Sequence, residues 1–270
     1  MGNDPLFSFM TPLIEPLGEK NRRRRVHLRF YAELNDFLPA DRRSANLERE
    51  FDVSPSVKDM IEAAGVPHTE IDLVVVNGES VDFSYRVQDG DHISVYPVFE
   101  SIDIEDVVRV RPSPLRETRF VVDVNLGGLA RYLRLLGFDS EYGNDLADQE
   151  LVEISRRERR ILLTRDVDLL KRKALTHGYF VRATDVQGQA VEVVKRLDLF
   201  QKIRPFVRCM SCNAELLPVP KEQIEDRLGE RTRLLYNEFR ICPGCDRLYW
   251  HGSHHAKLMR FIEMVRNQAL

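Results

Sequence analysis

Apolar residues in this chain change period several times, and the changes divide it into units. In the second half, Phe120-Val121-Val122, Ile161-Leu162-Leu163 and Tyr179-Phe180-Val181 are short, bounded runs rich in β-branched or aromatic side chains. Such runs predict buried strands. Stretches at helical spacing follow them, at residues 129–136, 149–157, 167–172 and 187–197. Leu129, Leu133 and Leu136 share one stripe of the first, and Gly137 stands where a helix stops. Regular alternation of strand and helix over residues 119–204 predicts a parallel sheet with helices on both faces. Phe138 to Tyr142 adds a further extended piece.

The first half reads differently. Val26 to Phe30 alternates like a strand, and Ser56 is a candidate N-cap for a helix over residues 56–64, stopped by Gly65. Leu73-Val74-Val75-Val76 runs into Asn77-Gly78, a strong strand-and-turn signal, and Asp89-Gly90-Asp91 leads into His92 to Pro97. Residues 23–101 therefore form one compact unit. Residues 1–22 contain proline and lack a period, which predicts a flexible arm, and 102–118, charged and holding Pro112 and Pro114, read as a linker. Residues 205–270 hold four cysteines and a terminal helix over 256–269, with Leu258, Phe261, Ile262 and Val265 on its apolar face.

Composition changes this picture only a little. The chain has 270 residues, 43% hydrophobic and 31% charged, which fits a globular α/β protein of more than one unit. No stretch approaches a membrane span and the N-terminus lacks a signal-peptide core, so the expected location is cytoplasmic, with no membrane partner. Residues 1–102 hold 11 Lys/Arg against 18 Asp/Glu, and residues 103–270 hold 29 against 25. The mildly basic second part suits an anionic polymer. The run Arg22-Arg23-Arg24-Arg25 reads first as a solvated charge run and second as an RNA-contacting patch.

The candidate chemistry lies where the three runs end. Each leads into an aspartate: Asp123, Asp166 and Asp185. The carboxyl ends of parallel strands share one edge, where ligands bind in open α/β sheets. Crowded carboxylates need a cation, so a magnesium- or manganese-dependent hydrolase is the first hypothesis. Asp145 and Asp148 follow the extended piece at 138–142, and Asp168 stands two residues past Asp166. Singly, Asp148, Asp166 and Asp185 read as helix N-caps; Asp123 does not, because Asn125 lies closer to the helix start. Arg131 and Arg134, three apart, are expected on one exposed side, able to hold phosphate or simply solvated. Neither G-x-S-x-G nor G-x-x-x-x-G-K-[ST] occurs.

The four cysteines form two C-x-x-C pairs, Cys209/Cys212 and Cys242/Cys245, separated by the 29 residues Asn213 to Ile241. Four thiolates on two knuckles predict structural zinc in a ribbon, here with a helix inserted over residues 221–228. Tyr249, Trp250, His251, His254 and His255 follow, either to stack on unpaired bases or to pack over the ribbon. The histidines are expected outside the metal shell, because four cysteines suffice.

Two resemblances add to this. Val76-Asn77-Gly78-Glu79 and Asp89-Gly90-Asp91-His92-Ile93-Ser94-Val95-Tyr96-Pro97 resemble the ubiquitin-like, β-grasp sulfur carriers of the thiamine and molybdopterin pathways. Those carriers end in a reactive Gly-Gly, whereas Pro97-Val98-Phe99-Glu100-Ser101 continues here, so a docking role toward a protein partner replaces sulfur transfer. Phe120-Val121-Val122-Asp123, Leu126-Gly127-Gly128-Leu129-Ala130-Arg131-Tyr132-Leu133-Arg134-Leu135-Leu136-Gly137-Phe138-Asp139, Asp148-Gln149-Glu150-Leu151, Ile161-Leu162-Leu163-Thr164-Arg165-Asp166 and Thr176-His177-Gly178-Tyr179-Phe180 resemble the Mut7-C RNase family. That resemblance implies a PIN-like domain over 119–204 that cleaves RNA with Mg²⁺ or Mn²⁺. Asp123, Asp148 and Asp166 would hold the metal, Asp168 or Asp145 would complete the shell, and Arg131 and Arg165 would steady the phosphodiester. A non-catalytic RNA-binding adaptor and a β-grasp scaffold for a protein partner remain the alternatives.

Overall fold

The computed structural model describes residues 23–97, 110, 118–252 and 255–269. The predicted arm, Arg22, most of the predicted linker and His254 lie outside the described residues.

The N-terminal unit is a mixed five-stranded sheet: β1 (Arg24–Phe30), β2 (Leu47–Phe51), β3 (Ile71–Val76), β4 (Glu79–Val81) and β5 (His92–Pro97), in the order β2-β1-β5-β3-β4. The central pair β1/β5 is parallel and every other pair antiparallel. Alternation in β1 sends Val26, Leu28 and Phe30 inward, against α1 (Val57–Ala63) with its buried Val57, Met60 and Ile61. Ser56 caps α1 by accepting from Asp59 N–H, and Gly65, at φ +111°, takes the chain out. Asn77 and Gly78, both at positive φ, make the tight turn between β3 and β4. Two arginines of the run are neutralised by glutamates of β2, Arg23 by Glu50 and Arg25 by Glu48 and Glu50, which favours the solvated reading. Val110, inside the predicted linker, is buried against this core.

The second unit is a four-stranded sheet, parallel throughout, of β6 (Arg119–Val122), β7 (Asp139–Glu141), β8 (Ile161–Thr164) and β9 (Gly178–Phe180), ordered β7-β6-β8-β9. Three helices connect its strands, α2 (Gly127–Leu135), α3 (Asp148–Glu158) and α4 (Val167–Leu170), and α5 (Val186–Arg196) follows the last. Phe120, Val122 and Leu163 face α2 and α5, while Val121 and Leu162 face α3 and α4. Two buried faces explain why these strands read as unbroken apolar runs. Gly137 is required by packing as well as by φ +98°, because a Cβ there would lie 2.1 Å from the Arg204 carbonyl oxygen.

The third unit is an antiparallel sheet of β10 (Leu217–Val219), β11 (Phe239–Ile241) and β12 (Leu248–Trp250) beside the cysteines, with α6 (Glu230–Leu235) inserted. The helix predicted over 221–228 is absent. Two 3-10 turns, Lys221–Gln223 and Glu225–Arg227, stand there instead. Ile224 and Leu228, four apart, are both buried against Phe239, so the spacing is real. A highly charged stretch with only two apolar anchors is too short to nucleate an α-helix. The terminal helix α7 (His255–Arg266) buries Phe261, Ile262 and Val265 in the core beneath α2 and α5, as its stripe predicts.

Both edges of the parallel sheet are covered by side chains from the neighbouring units. On β7, Ser140 N–H donates to Asn213 Oδ1 at 3.0 Å. On β9, Phe180 N–H donates to Glu70 Oε1 at 2.5 Å. Each carbonyl or carboxylate stands where another strand would pair. Around Glu70, which is 1% exposed, Arg182 bridges to Glu70 (3.3 Å) and Asp36 (3.1 Å), and Arg196 pairs with Glu33. Nearby, His68 Nε2 donates to the Leu175 carbonyl at 2.8 Å, and Phe37 packs edge-on to Phe180.

Candidate active site and metal centre

Three neighbouring strands deliver carboxylates to one pocket of about 390 Å³. Asp123 directly follows β6, Asp166 follows β8, and Asp148 opens the helix after β7. Asp168, Asn125 and Arg165 also line it. Asp123 is 6% exposed; Asp148, Asp166 and Asp168 are open to solvent.

The buried hydroxyl of Thr164 ties the site together. It donates to Asp123 Oδ2 at 2.5 Å and accepts from Asp166 N–H at 2.9 Å. Thr164 is a residue that sequence reasoning missed. Its signal was a polar, β-branched side chain at the last position of an otherwise apolar strand. Asp166 caps α4, with Oδ1 accepting from the N–H groups of Asp168 and Leu169. Its second oxygen carries no hydrogen bond among the described residues. Asp123 also accepts a long bond, 3.4 Å, from Asn125 N–H, so it caps the short 3-10 turn Val124–Leu126 after all.

Several expectations are corrected by position. Asp148 is not an N-cap: Ala147 holds that place, its N–H donating to Glu150, and Asp148 is the first helical residue with Arg172 at 3.9 Å. Asp145 sits in the turn before α3 and does not line the pocket. Asp185 caps α5 through Gly188 N–H and also stays outside. Arg165 lines the pocket while its Nη1 donates to the carbonyls of Arg182 and Ala183. Arg131 is exposed, as expected, but lines a neighbouring groove rather than the acidic pocket.

Arg134 is not on an exposed side. It is 2% exposed and donates to the carbonyls of Ser140 (2.9 Å) and Ser211 (2.7 Å), clamping the first cysteine knuckle onto β7. Burial lowers its guanidinium pKa, against the pull of Glu141 and the cysteines. Asp139 completes the clamp, accepting from Arg160 and from Asn213 Nδ2, each at 2.7 Å. Burial alone would raise the Asp139 carboxyl, but those two hydrogen bonds and the charges of Arg160 and Arg208 together hold it below its usual range.

The ligand atoms of Cys209, Cys212, Cys242 and Cys245 all lie within 4.8 Å of one another. Tetrahedral zinc with arms of about 2.3 Å needs sulfurs about 3.8 Å apart, so this cluster could hold such an ion. The two knuckles repeat each other. Asn213 N–H donates to the Cys209 carbonyl and Asp246 N–H to that of Cys242, and both Asn213 and Asp246 take positive φ. Burial resists ionisation of Cys209, but the Tyr249 hydroxyl and the N–H groups of Cys212 and Ser211 bring its thiol down to about 6. Burial lifts the Cys245 thiol to about 12. His251 and His255 lie apart from this cluster, with their rings stacked on each other at 4.2 Å. Trp250 packs loosely against Phe239 and stays 39% exposed. No helix among the described residues is long and apolar enough to cross a membrane.

Comparison with known proteins finds two families along the chain. The Mut7-C ubiquitin family matches residues 23–103, and the Mut7-C RNAse domain family matches residues 118–262. A human protein named exonuclease mut-7 homolog is 34% identical over 108 residues, covering 38% of this chain but only 12% of that protein. A solved structure, L-proline dehydrogenase from P. horikoshii, aligns with 68% of this chain and 32% of its own at 12% identity. Its TM-score is 0.20, too low to bear on fold or function. The nuclease match alone spans more than half of the 270 residues, behind a ubiquitin-like unit in the same order, and the chain therefore belongs to the Mut7-C RNAse domain family.

Proposed function

We propose that this protein is a metal-dependent ribonuclease with a PIN-like acidic centre. The observation that carries the reading is the convergence of Asp123, Asp148 and Asp166 from three adjacent strand ends on one pocket. The donor set fits a hard divalent cation, because it offers only oxygens. Among the described residues only the cysteine atoms are grouped closely enough to enclose an ion as they stand, so these carboxylates would reach Mg²⁺ partly through the waters it keeps. Asp123, Asp148 and Asp166 would hold Mg²⁺ or Mn²⁺, with Asp168 alongside. Once bound, the ion would supply an activated water and neutralise charge on the phosphodiester.

The chain's own residues do the rest. Thr164 fixes the Asp123 carboxylate and the Asp166 backbone relative to each other, which limits how far these two residues move apart. Arg165, anchored on two carbonyls, offers its remaining donors to a phosphate oxygen without losing much side-chain entropy. Labelled RNA incubated with the full chain is expected to be cut with Mg²⁺ or Mn²⁺ and left intact without them. Binding without cleavage in every divalent ion would reject the enzyme and favour the adaptor, in which the capping roles of Asp123 and Asp166 are their whole purpose.

The four cysteines would hold structural zinc, and the ubiquitin-like unit would be the site for a protein partner. Purified protein is expected to contain one zinc per chain. Its only tryptophan, Trp250, lies on β12, so strong chelation should change the emission spectrum as the ribbon loosens. A metal-free protein with the same spectrum and stability would rule out the zinc.

A further inference from the structure

Between α2 and the cysteine ribbon runs a groove of about 1070 Å³, larger than the usual range for drug-sized ligands. Arg131, Arg227 and Arg247 line it against one carboxylate, Asp246, which Arg227 already neutralises at 3.1 Å. Arg131 and Arg247 are exposed and have no ion pair among the described residues. Two guanidinium groups are thus left for an anionic ligand. Trp250 lines the same groove from β12, the edge strand of the ribbon. Its partial exposure leaves aromatic surface that no core claims.

The groove's lining starts two residues along the chain from that of the acidic pocket. Val124 and Asn125 line the pocket, and Gly127 and Gly128, two residues further on, line the groove. Tyr142 holds this junction, donating to the Val124 carbonyl at 3.1 Å and packing against Gly127, where a Cβ would lie 2.5 Å from its oxygen. We infer that this groove holds single-stranded RNA, with Arg131 and Arg247 on its phosphates and an unpaired base stacked on Trp250. The polymer's nature rests on the ribonuclease reading; the groove adds the strand's path and state. Guanidinium groups grip phosphates of either form, but the aromatic surface discriminates. Every unpaired base has a free face for stacking, whereas a paired A-form helix keeps its bases stacked inside.

The test is binding by the zinc-loaded full chain, without added Mg²⁺ or Mn²⁺, to a labelled oligouridine of about 12 nucleotides and to a duplex of the same length. The single strand is expected to bind at least about tenfold more tightly than the duplex. Trp250→Ala should weaken oligouridine binding about tenfold, and Trp250→Phe should retain most of the affinity. Arg247→Glu, at an exposed position, should weaken binding and flatten its dependence on log salt by about 0.7 per lost phosphate contact. Unchanged affinity in both Trp250→Ala and Arg247→Glu, or equal affinity for duplex, overturns the inference. Changed binding with no cleavage in any divalent ion would reject the ribonuclease reading and keep the groove. Cleavage with binding unmoved by these variants would do the reverse.

Discussion

Asp123→Asn is expected to lower RNA cleavage by about 10³-fold or more while RNA binding holds or tightens. A ligand that neutralises developing charge through a metal is worth several kcal/mol of barrier, and each 1.36 kcal/mol is about tenfold in rate. The fold should survive, because asparagine keeps an oxygen for the Thr164 hydroxyl, which now donates to Asp123 at 2.5 Å. Losing one negative charge from the pocket removes repulsion toward phosphate, so affinity does not fall. Single-turnover cleavage under saturating Mn²⁺, beside a binding curve, separates the two quantities. A rate within about threefold of the native one would exclude Asp123 from the reaction. Thr164→Val makes a second probe: it removes the link between Asp123 and Asp166 while keeping both aspartates, and should raise the Mn²⁺ needed for half-maximal rate.

Arg182→Ala is expected to destabilise the protein by about 3–5 kcal/mol, the range for stripping one partner from a buried ion pair. Glu70 would keep its burial and its bond from Phe180 N–H but lose the guanidinium at 3.3 Å. Asp36 and the Phe37 ring, 5.2 Å from the guanidinium carbon, lose the same partner. The effect has a definite dependence on pH. Burial already raises the Glu70 carboxyl above its ordinary value, and Arg182 is the largest influence pulling it back. A carboxyl raised in the folded state contributes stability while it is protonated, and this is lost as pH rises through the folded-state pKa. Removing Arg182 raises that pKa further, so the deficit should be largest at neutral pH and shrink toward acid. Urea denaturation of both proteins at two pH values measures it. A deficit that is small, or the same at both, would mean that Glu70 is not the charge Arg182 compensates.

What could be read in advance was what depends on neighbours in sequence. Apolar runs marked β6, β8 and β9, Ser56 marked the start of α1, and two C-x-x-C pairs marked the knuckles. The family resemblance was equally legible, because its motifs are contiguous. What stayed hidden depends on partners far along the chain. Arg134 looked exposed because helix spacing says nothing of Ser211, whose carbonyl buries it from 77 residues away. Strand β2, Leu47–Phe51, is mostly charged; its glutamates make sense only beside Arg25 of β1 and Arg23 just before it. Of the acidic residues, spacing could nominate Asp145 and Asp148 together, but only the turn before α3 decides that one lines the pocket and the other does not.

The two borrowed partners at the sheet edges have a consequence for biosynthesis. A ribosome releases the ubiquitin-like unit first, so Glu70 is already in place when Phe180 emerges, and that flank never waits bare. Ser140 emerges long before Asn213, and until the first cysteine knuckle is tied its flank stays open to a neighbouring polypeptide. If the knuckles close on zinc as proposed, scarcity of zinc during translation should show as aggregation of new chains. Expressing residues 118–262 by themselves would open the other flank as well.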